Sequence, residues 1–143
     1  MIFNKILIAY DGSEASERAL DKAVKLVKEG AGGGLEIVHS SHVPVMVVGD
    51  AIFNVSPDVE RQQNEYSDKV VERARQAAEG LPNVRVVRKQ GNAARAILEH
   101  AEETGCDLIV MGSRGLGGLS ELFLGSVSHH VVHHATIPVM IVK

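Results

Sequence analysis

Short apolar runs alternate with segments of helical periodicity along this chain, and this alternation restricts its fold more than any other feature does. The pattern predicts strands at residues 5–10, 35–40, 84–90, 108–111 and 138–142, and helices at 13–29, 58–79, 92–104 and 126–134. Strands that alternate with helices at this spacing form βαβ units with right-handed crossovers. We therefore expect an α/β fold in which one parallel sheet carries helices on both faces.

The length of 143 residues fits one domain, residues 1–143. Its expected architecture is Rossmann-like, an open twisted sheet of five parallel strands with four helices on both faces. Residues 5–10 are nearly all apolar, which favours a strand buried on both sides. Residues 84–90 alternate between apolar and basic side chains, so this strand is expected near a sheet edge.

Residues 41–57 do not fit the alternation. Pro44, Gly49 and Pro57 interrupt apolar clusters there, such as residues 45–48. We interpret this stretch as an ordered but irregular loop. A connection of this length in a small domain is typically functional. A partner surface or a lid would account for it.

Composition and charge argue against several classes of protein. Apolar residues make up 45% of the chain and charged residues 23%, and the uncharged stretches are too short for a bilayer span. The first residues lack the pattern of a signal peptide, so a cytoplasmic location is expected. The net charge of −3 and the scattered basic residues argue against sequence-independent nucleic-acid binding. Cys106 is the single cysteine and cannot form an internal disulfide.

A glycine-rich segment, residues 112–126, leads from the fourth predicted strand into the last predicted helix. Its spacing is Gly-x2-Gly-x9-Gly-Ser, starting at Gly112 and Gly115 and ending at Gly125 and Ser126. Glycine lets a backbone approach a ligand closely, and the first N–H groups of a helix lack internal partners and favour anions. We therefore interpret the segment as a phosphate cradle rather than a flexible linker.

Two hydroxyls and one cation add to this cradle. Ser126 is predicted to be the helix N-cap, Ser128 lies in the first turn, and Arg114 is the only cation of the segment. The lysine of a Gly-x4-Gly-Lys loop is missing, as is a Gly-x-Gly-x2-Gly motif after the first strand. Since phosphate-ester hydrolysis requires charge compensation and a positioned water, we expect the segment to bind phosphates with at most weak hydrolysis and no catalytic residue.

The position of the cradle follows from the expected sheet. Ligands of such sheets bind outside the carboxyl ends of the strands, where the strand order reverses. The first strand ends at Asp11 and the fourth at Gly112, so both ends meet in one crevice if these strands are neighbours. The carboxylate of Asp11 could accept from ribose hydroxyls or hold a magnesium-bound water. Alternatively, Asp11 only initiates the turn with Gly12.

With these features the sequence resembles the universal stress protein family, specifically its nucleotide-binding branch. The resemblance spans the whole chain and is carried by the opening Ile6-Leu7-Ile8-Ala9-Tyr10-Asp11-Gly12-Ser13, by Val38-His39, by the glycine spacing and by the terminal Pro138-Val139-Met140-Ile141-Val142. It implies a stress-response protein that binds ATP, or the related ADP or AMP, and acts as a nucleotide-dependent sensor or regulator.

The resemblance also implies which residues bind the nucleotide. The implied sugar and phosphate cradle consists of Gly112, Arg114, Gly115, Gly125, Ser126, Val127 and Ser128. Ser40 would meet the adenine edge through its backbone, Ala9 and Tyr10 are candidate wall residues, and Met111 belongs to the same candidate set. Family members often carry a smaller residue in place of Tyr10, so its ring either packs outside the site or alters access to it.

Further partners are expected as follows. Magnesium is expected only together with the nucleotide, near Asp11. The last strand, from Pro138 to Val142, is apolar on both faces, and in the family it looks to mediate a homodimer, which we predict here as well. Two alternatives for the function remain. One is a slow ATPase or nucleotide hydrolase on the same site, and the other is a nucleotide-free interaction module that uses residues 41–57 and the dimer surface to bind a protein partner.

Six of the seven histidines lie in two groups. His129 and His133, and likewise His130 and His134, are four residues apart on a predicted helix, a spacing that can bind zinc or nickel. Because no carboxylate or cysteine completes a ligand set nearby, an exposed polar helix face is the favoured interpretation. The other two, His39 and His42, flank the end of the second strand and either contact a ligand or line the loop.

Overall fold

The structure, a computed structural model, describes residues 1–41, 45–54, 56–114 and 124–143. In chain order its elements are β1 (Ile6–Ala9), α1 (Glu14–Lys28), β2 (Leu35–Ser41), β3 (Val45–Val48), β4 (Ala51–Asn54), α2 (Pro57–Ala77), β5 (Val84–Gln90), α3 (Ala93–Thr104), β6 (Leu108–Gly112), α4 (Ser126–His134) and β7 (Val139–Val142).

Five of these strands form one parallel sheet in the order β5-β2-β1-β6-β7. In the central strand β1, Ile8 lies opposite Ile37 of β2 and Val110 of β6. The chain first adds β2 and β5 on one side of β1 and then β6 and β7 on the other, so the strand order reverses between β1 and β6. The expected α/β architecture is confirmed, and the first and fourth predicted strands are neighbours.

Two apolar layers hold the helices to the two faces of the sheet. Because side chains alternate along a strand, Ile6 and Ile8 pack with residues of α1 and α2, whereas Leu7 packs with residues of α3 and α4. All three are fully buried. The prediction that β1 is covered on both faces is therefore confirmed. The alternating strand β5 lies at an edge of the sheet, as predicted.

Local capping explains where the helices begin and end. The Ser13 hydroxyl accepts from the Ser16 N–H at 3.2 Å at the start of α1, and the Asn92 side chain accepts from the Arg95 N–H at 3.0 Å at the start of α3. Gly105 ends α3 with a φ of +68°, a left-handed conformation that glycine adopts without strain. These three predicted boundaries are confirmed.

Within the described part of residues 41–57, the prediction of an irregular loop is wrong; residues 42–44 and 55 lie outside the described residues. β3 and β4 pair as an antiparallel hairpin in which Val48 lies opposite Ala51. The two-residue turn is Gly49-Asp50, and Gly49 has a φ of +61°. Glycine at the first position of such a turn matches the twist of the flanking strands, which is why the chain pairs here.

No helix in the part of the chain that the structure describes is both long enough and apolar enough to cross a membrane.

Candidate functional site

The carboxyl ends of β1 and β6 meet at one crevice, at the point where the strand order reverses. Each end is tied to the neighbouring strand: the Tyr10 N–H donates to the Val38 carbonyl at 2.9 Å, and the Ser113 N–H donates to the Val142 carbonyl at 3.0 Å. Because β1 and β6 are parallel neighbours, Asp11 and Gly112 lie side by side at the carboxyl ends of these strands. Parallel α/β sheets bind their ligands at these strand ends.

The N-terminus of α4 is held against the end of β6. The Gly125 N–H donates to the Ser113 carbonyl at 2.7 Å, and the Ser128 hydroxyl donates to the same carbonyl at 3.0 Å and to the Gly125 carbonyl at 3.1 Å. The two halves of the glycine spacing, around Gly112 and around Gly125, are thus brought together. Gly115 lies outside the described residues.

The prediction that Ser126 caps α4 is wrong. Gly125 is the N-cap, with φ −62° and ψ 162°, and Ser126 is the first helical residue. The first helical bond runs from the His129 N–H to the Gly125 carbonyl at 2.9 Å, one residue earlier than expected. The chain enters the helix at Gly125 because the Ser113 carbonyl holds this residue in place.

Gly112 has a packing reason of its own to be glycine. A Cβ added at this position would lie 2.7 Å from the carbonyl carbon and from the Cβ of Ala15. The main chain of α1 therefore passes directly over the end of β6, and a larger residue would push the helix away. Close approach of helix and strand accounts for this glycine without a ligand.

The turn after β1 is built by Asp11 itself. Its Oδ1 accepts from the Ser13 N–H at 2.9 Å, and the following Gly12 has a φ of +83°. The turn-forming role that the sequence offered for Asp11 is therefore present. Its role toward ribose or magnesium stays a prediction.

Two consecutive residues of α2 contact the end of β1. The Tyr66 hydroxyl donates to the Asp11 carbonyl at 2.8 Å. The Ser67 hydroxyl lies 3.1 Å from Nε2 of His39, whose Nδ1 lies 3.0 Å from the Tyr10 carbonyl. Since a carbonyl can only accept, Nδ1 of His39 carries a proton. His39 thus contacts main chain and α2, which leaves neither of its nitrogens for the loop or a ligand.

Burial shifts the pKa values of His39 and Tyr66, which belong to the polar cluster formed with Ser67 and the end of β1. Burial lowers the pKa of His39, against the opposing effect of its hydrogen bond with the Tyr10 carbonyl. Burial, and then the negative charge of Asp11, raise the pKa of the Tyr66 hydroxyl. Near neutral pH the cluster therefore carries a neutral imidazole and a protonated phenol.

The ring of Tyr10 is packed in the core with residues of α1 and α2. Its hydroxyl donates to Oε1 of Glu17 at 2.5 Å, and Arg73 forms an ion pair with the same carboxylate. Burial, followed by the hydrogen bond to Glu17, raises the pKa of this hydroxyl. The ring of Tyr10 therefore packs outside the crevice, which is one of the two placements that the sequence left open.

The remaining candidate residues lie on the strands and the helix around the crevice. Ala9, Met111 and Val127 belong to the apolar layer under α3 and α4. The Ser40 hydroxyl donates to the Gly91 carbonyl at 3.3 Å, and Arg114 is half-buried directly after β6. Contact of any of these residues with a nucleotide remains a prediction.

A second polar cluster lies near the amino end of β2. Oε2 of the buried Glu36 is 2.8 Å from Nε2 of the buried His100 and accepts from Nε of Arg85 at 3.1 Å. Nδ1 of His100 is buried and has no hydrogen-bond partner among the described residues. His100 also borders a cleft of about 310 Å³ at the sheet edge, which none of the candidate site residues lines.

The histidines of α4 form the expected pairs. The ring centroids of His129 and His133 are 6.4 Å apart, those of His130 and His134 are 4.2 Å apart, and all four residues are exposed. Within the described ranges, no group of three or more histidine, cysteine, aspartate or glutamate residues is arranged to hold a metal ion. These four histidines thus form an exposed polar face of α4, which was the favoured interpretation.

Known proteins are similar to this chain in both sequence and fold. The model of the universal stress protein family matches residues 2–143. Universal stress protein YxiE of Bacillus subtilis is 40% identical over 149 residues, which cover 99% of this chain and all of the relative. The chain belongs to the universal stress protein family.

Solved universal stress proteins have the same architecture. A universal stress protein in complex with cAMP has a TM-score of 0.73 at 23% identity and covers 100% of this chain and 98% of its own. The universal stress protein of Archaeoglobus fulgidus in complex with dAMP has a TM-score of 0.68 at 21% identity, with both chains covered completely. These two structures support the fold.

Sequence reasoning on this universal stress protein missed Tyr66 and Ser67. A signal for Ser67 was present, because Ser67, Val70 and Ala74 are the buried positions of α2 and lie on one helical face. A serine on an otherwise apolar face requires a hydrogen-bond partner. Tyr66 gave no comparable signal, since it lies beside that face and is 37% exposed.

Proposed function

We propose that this universal stress protein binds an adenine nucleotide, namely ATP, ADP or AMP, in the crevice between the ends of β1 and β6. The observation that carries the proposal is the placement of the α4 N-terminus, which the Ser113 carbonyl holds at the end of β6. The N–H groups of Ser126, Val127 and Ser128 have no partner within the helix, so they favour a phosphate. Nucleotide binding would let the protein act as a sensor or regulator.

The other parts of the nucleotide would contact the neighbouring strand ends. Arg114 supplies positive charge beside the phosphates, and Asp11 supplies a carboxylate for ribose hydroxyls. Magnesium would arrive with the phosphates, since it typically takes one or two carboxylates besides phosphate oxygens, and Asp11 is a carboxylate at this edge. The backbone of Ser40, at the end of β2, would meet the adenine.

Solved relatives support the chemical class of the ligand. One universal stress protein is in complex with cAMP and another with dAMP, and both ligands are adenine nucleotides. Their fold matches this chain over its length. The phosphate loop of this chain has Arg114 as its only cation, so we propose a nucleotide that is held and slowly hydrolysed at most.

A homodimer through β7 belongs to the same proposal. Val139–Val142 is an edge strand of the sheet, paired with β6, and its four residues are half-buried. An apolar edge strand favours pairing with a second copy. Light scattering should report a dimer, and a monomer throughout the micromolar range would count against this part.

Calorimetry with ATP and magnesium tests the nucleotide site. Gly125 has a conformation open to any residue, so Gly125→Val adds bulk at the helix N-terminus without forcing the backbone. We expect one site per chain and an affinity at least about tenfold lower in this variant, a loss of about 1.4 kcal/mol. His134→Val, an exposed change at the other end of α4, should bind like the wild type. Absence of binding to ATP, ADP and AMP, or unchanged affinity in Gly125→Val, would contradict the proposal.

One observation favours a nucleotide-free interaction module as the second candidate. The β3-β4 hairpin exposes Val47, Val48, Ile52 and Phe53, each at least half exposed. Clustered exposed apolar side chains often mark a protein interface. Purification without bound nucleotide, together with no thermal shift upon addition of any adenine nucleotide, would favour this candidate.

A further inference from the structure

We infer that Tyr66 and Ser67 of α2 are positioning residues of the nucleotide site, because they fix the main chain of Tyr10 and Asp11 from which the Asp11 carboxylate projects. The inference rests on the proposed function. It adds a helix that contributes none of the candidate ligand contacts.

Tyr66 acts on the main chain of Asp11 directly. Its hydroxyl donates to the Asp11 carbonyl at 2.8 Å, and a Cβ added to Gly12 would lie 3.1 Å from the same hydroxyl oxygen and from Cγ2 of Val70. The β1-α1 turn is therefore covered by one turn of α2. Asp11 also closes this turn through the Ser13 N–H, so carbonyl and carboxylate are held together.

Ser67 acts on the preceding carbonyl through His39. The Ser67 hydroxyl and Nε2 of His39 are 3.1 Å apart, and Nδ1 of His39 donates to the Tyr10 carbonyl at 3.0 Å. Because Nδ1 carries the proton of the neutral ring, Nε2 accepts from Ser67. Both Ser67 and His39 are almost completely buried, so water does not replace either bond. Two adjacent residues of α2 thus hold two adjacent carbonyls.

Helix α2 buries few of its side chains, and polar contacts add to its packing on the sheet. Of its 21 residues only Ser67, Val70 and Ala74 are buried. Further polar contacts come from Arg88 of β5, which donates to Asn64 at 2.6 Å and to Asp68 at 3.4 Å. A few directed bonds therefore contribute to the position of α2, and we expect that removal of one of them loosens the turn it holds.

Binding measurements on Tyr66→Phe test the inference. The variant loses one hydrogen bond and keeps the ring, so we expect an affinity for ATP with magnesium about 2- to 10-fold below that of the wild type. The thermal midpoint of the free protein should change little, because the ring is partly exposed. Val59→Ala, an exposed apolar truncation on the same helix, is the control and should bind like the wild type.

Ser67→Ala is the second variant. It leaves Nε2 of His39 buried without a donor, so both the affinity and the thermal midpoint should fall. If this variant does not fold, Tyr66→Phe still decides the question.

Fluorine NMR gives a readout that general destabilisation does not mimic. The chain has two tyrosines, so fluorotyrosine labelling gives two resonances, and Tyr66→Phe assigns them. Addition of ATP with magnesium should shift the Tyr66 resonance more than that of the core residue Tyr10. Wild-type binding with unchanged affinity in Tyr66→Phe would overturn the inference alone. A lower affinity without a shift of the Tyr66 resonance would also overturn it, whereas no binding by the wild type would overturn the proposed function as well.

Discussion

Two buried histidines at opposite ends of β2 take part in different kinds of polar cluster. His39, near the carboxyl end, has both nitrogens bonded, one to the Tyr10 carbonyl and one to Ser67. His100 of α3, near the amino end, has one nitrogen beside Glu36 and the other without a partner among the described residues. The first cluster fixes main chain that borders the crevice, whereas the second joins side chains only. We therefore expect changes in the first to affect ligand binding and changes in the second to affect stability alone.

The largest effect should come from His100→Leu. This change leaves the buried carboxylate of Glu36 with Arg85 as its remaining partner, and loss of a hydrogen bond to a buried charged group typically costs up to about 3 kcal/mol. The free energy of unfolding in urea should fall by about this amount, while the affinity for ATP stays at the wild-type value.

The double variant Glu36→Leu/His100→Leu is the matched control. Because it removes both partners, its stability should return to within about 1 kcal/mol of the wild type. A single variant that is as stable as the wild type, or one that binds ATP more weakly, would break the distinction between the two clusters.

An intermediate effect is expected from pH at His39. Burial lowers the pKa of this residue in the folded protein, so the unfolded chain takes up a proton first as the pH falls. The stabilisation is fully present above the unfolded pKa of about 6.5 and is lost as the pH falls toward the folded pKa, by up to about 1.4 kcal/mol per pH unit.

Urea unfolding of the wild type and of His39→Asn measures this dependence. Asn can still donate to the Tyr10 carbonyl but does not titrate. Between about pH 7 and about pH 5 the wild type should lose more stability than the variant does. Arg88, a like charge, favours the same direction, whereas Asp11 opposes it. Parallel curves for the two proteins would show that His39 titrates equally in the folded and unfolded chains.

The smallest effect should come from Arg85→Gln. Arg85 pairs with Glu36 at 3.1 Å, but its side chain is 60% exposed, so water competes with the bond. We expect a loss of about 0.5 kcal/mol in the free energy of unfolding and no change in ATP affinity. A loss as large as that of His100→Leu would mean that Arg85 stabilises the buried carboxylate as much as His100 does.

Most of the fold was predictable because its signals are local. The apolar run around Ile8, the cap at Ser13 and the glycine at Gly105 each specify structure through nearby residues alone. The hairpin was predictable too, since Gly49-Asp50 separates two apolar runs by two residues, but Pro44 and Pro57 favoured a loop. In that case the turn chemistry of one dipeptide outweighed the flanking prolines.

The site was less predictable because its contacts join distant segments. The sequence identified the convergence of Asp11 and Gly112, which follows from topology. It assigned the cap of α4 to Ser126, whereas a carbonyl of the preceding strand, that of Ser113, fixes the helix start at Gly125. The contact of Tyr66 with Asp11 spans 55 positions along the chain and depends on how α2 lies on the sheet.

The contact of Gly112 with Ala15 has a consequence for how related chains are compared. Because α1 leaves no room for a Cβ there, a relative that has lost its ligand is still constrained to keep this glycine. If relatives retain this glycine, the retention would thus reflect the close packing of α1 on β6. At Gly125 the backbone conformation accepts any residue, so we expect variation at this position, rather than at Gly112, to accompany loss of binding.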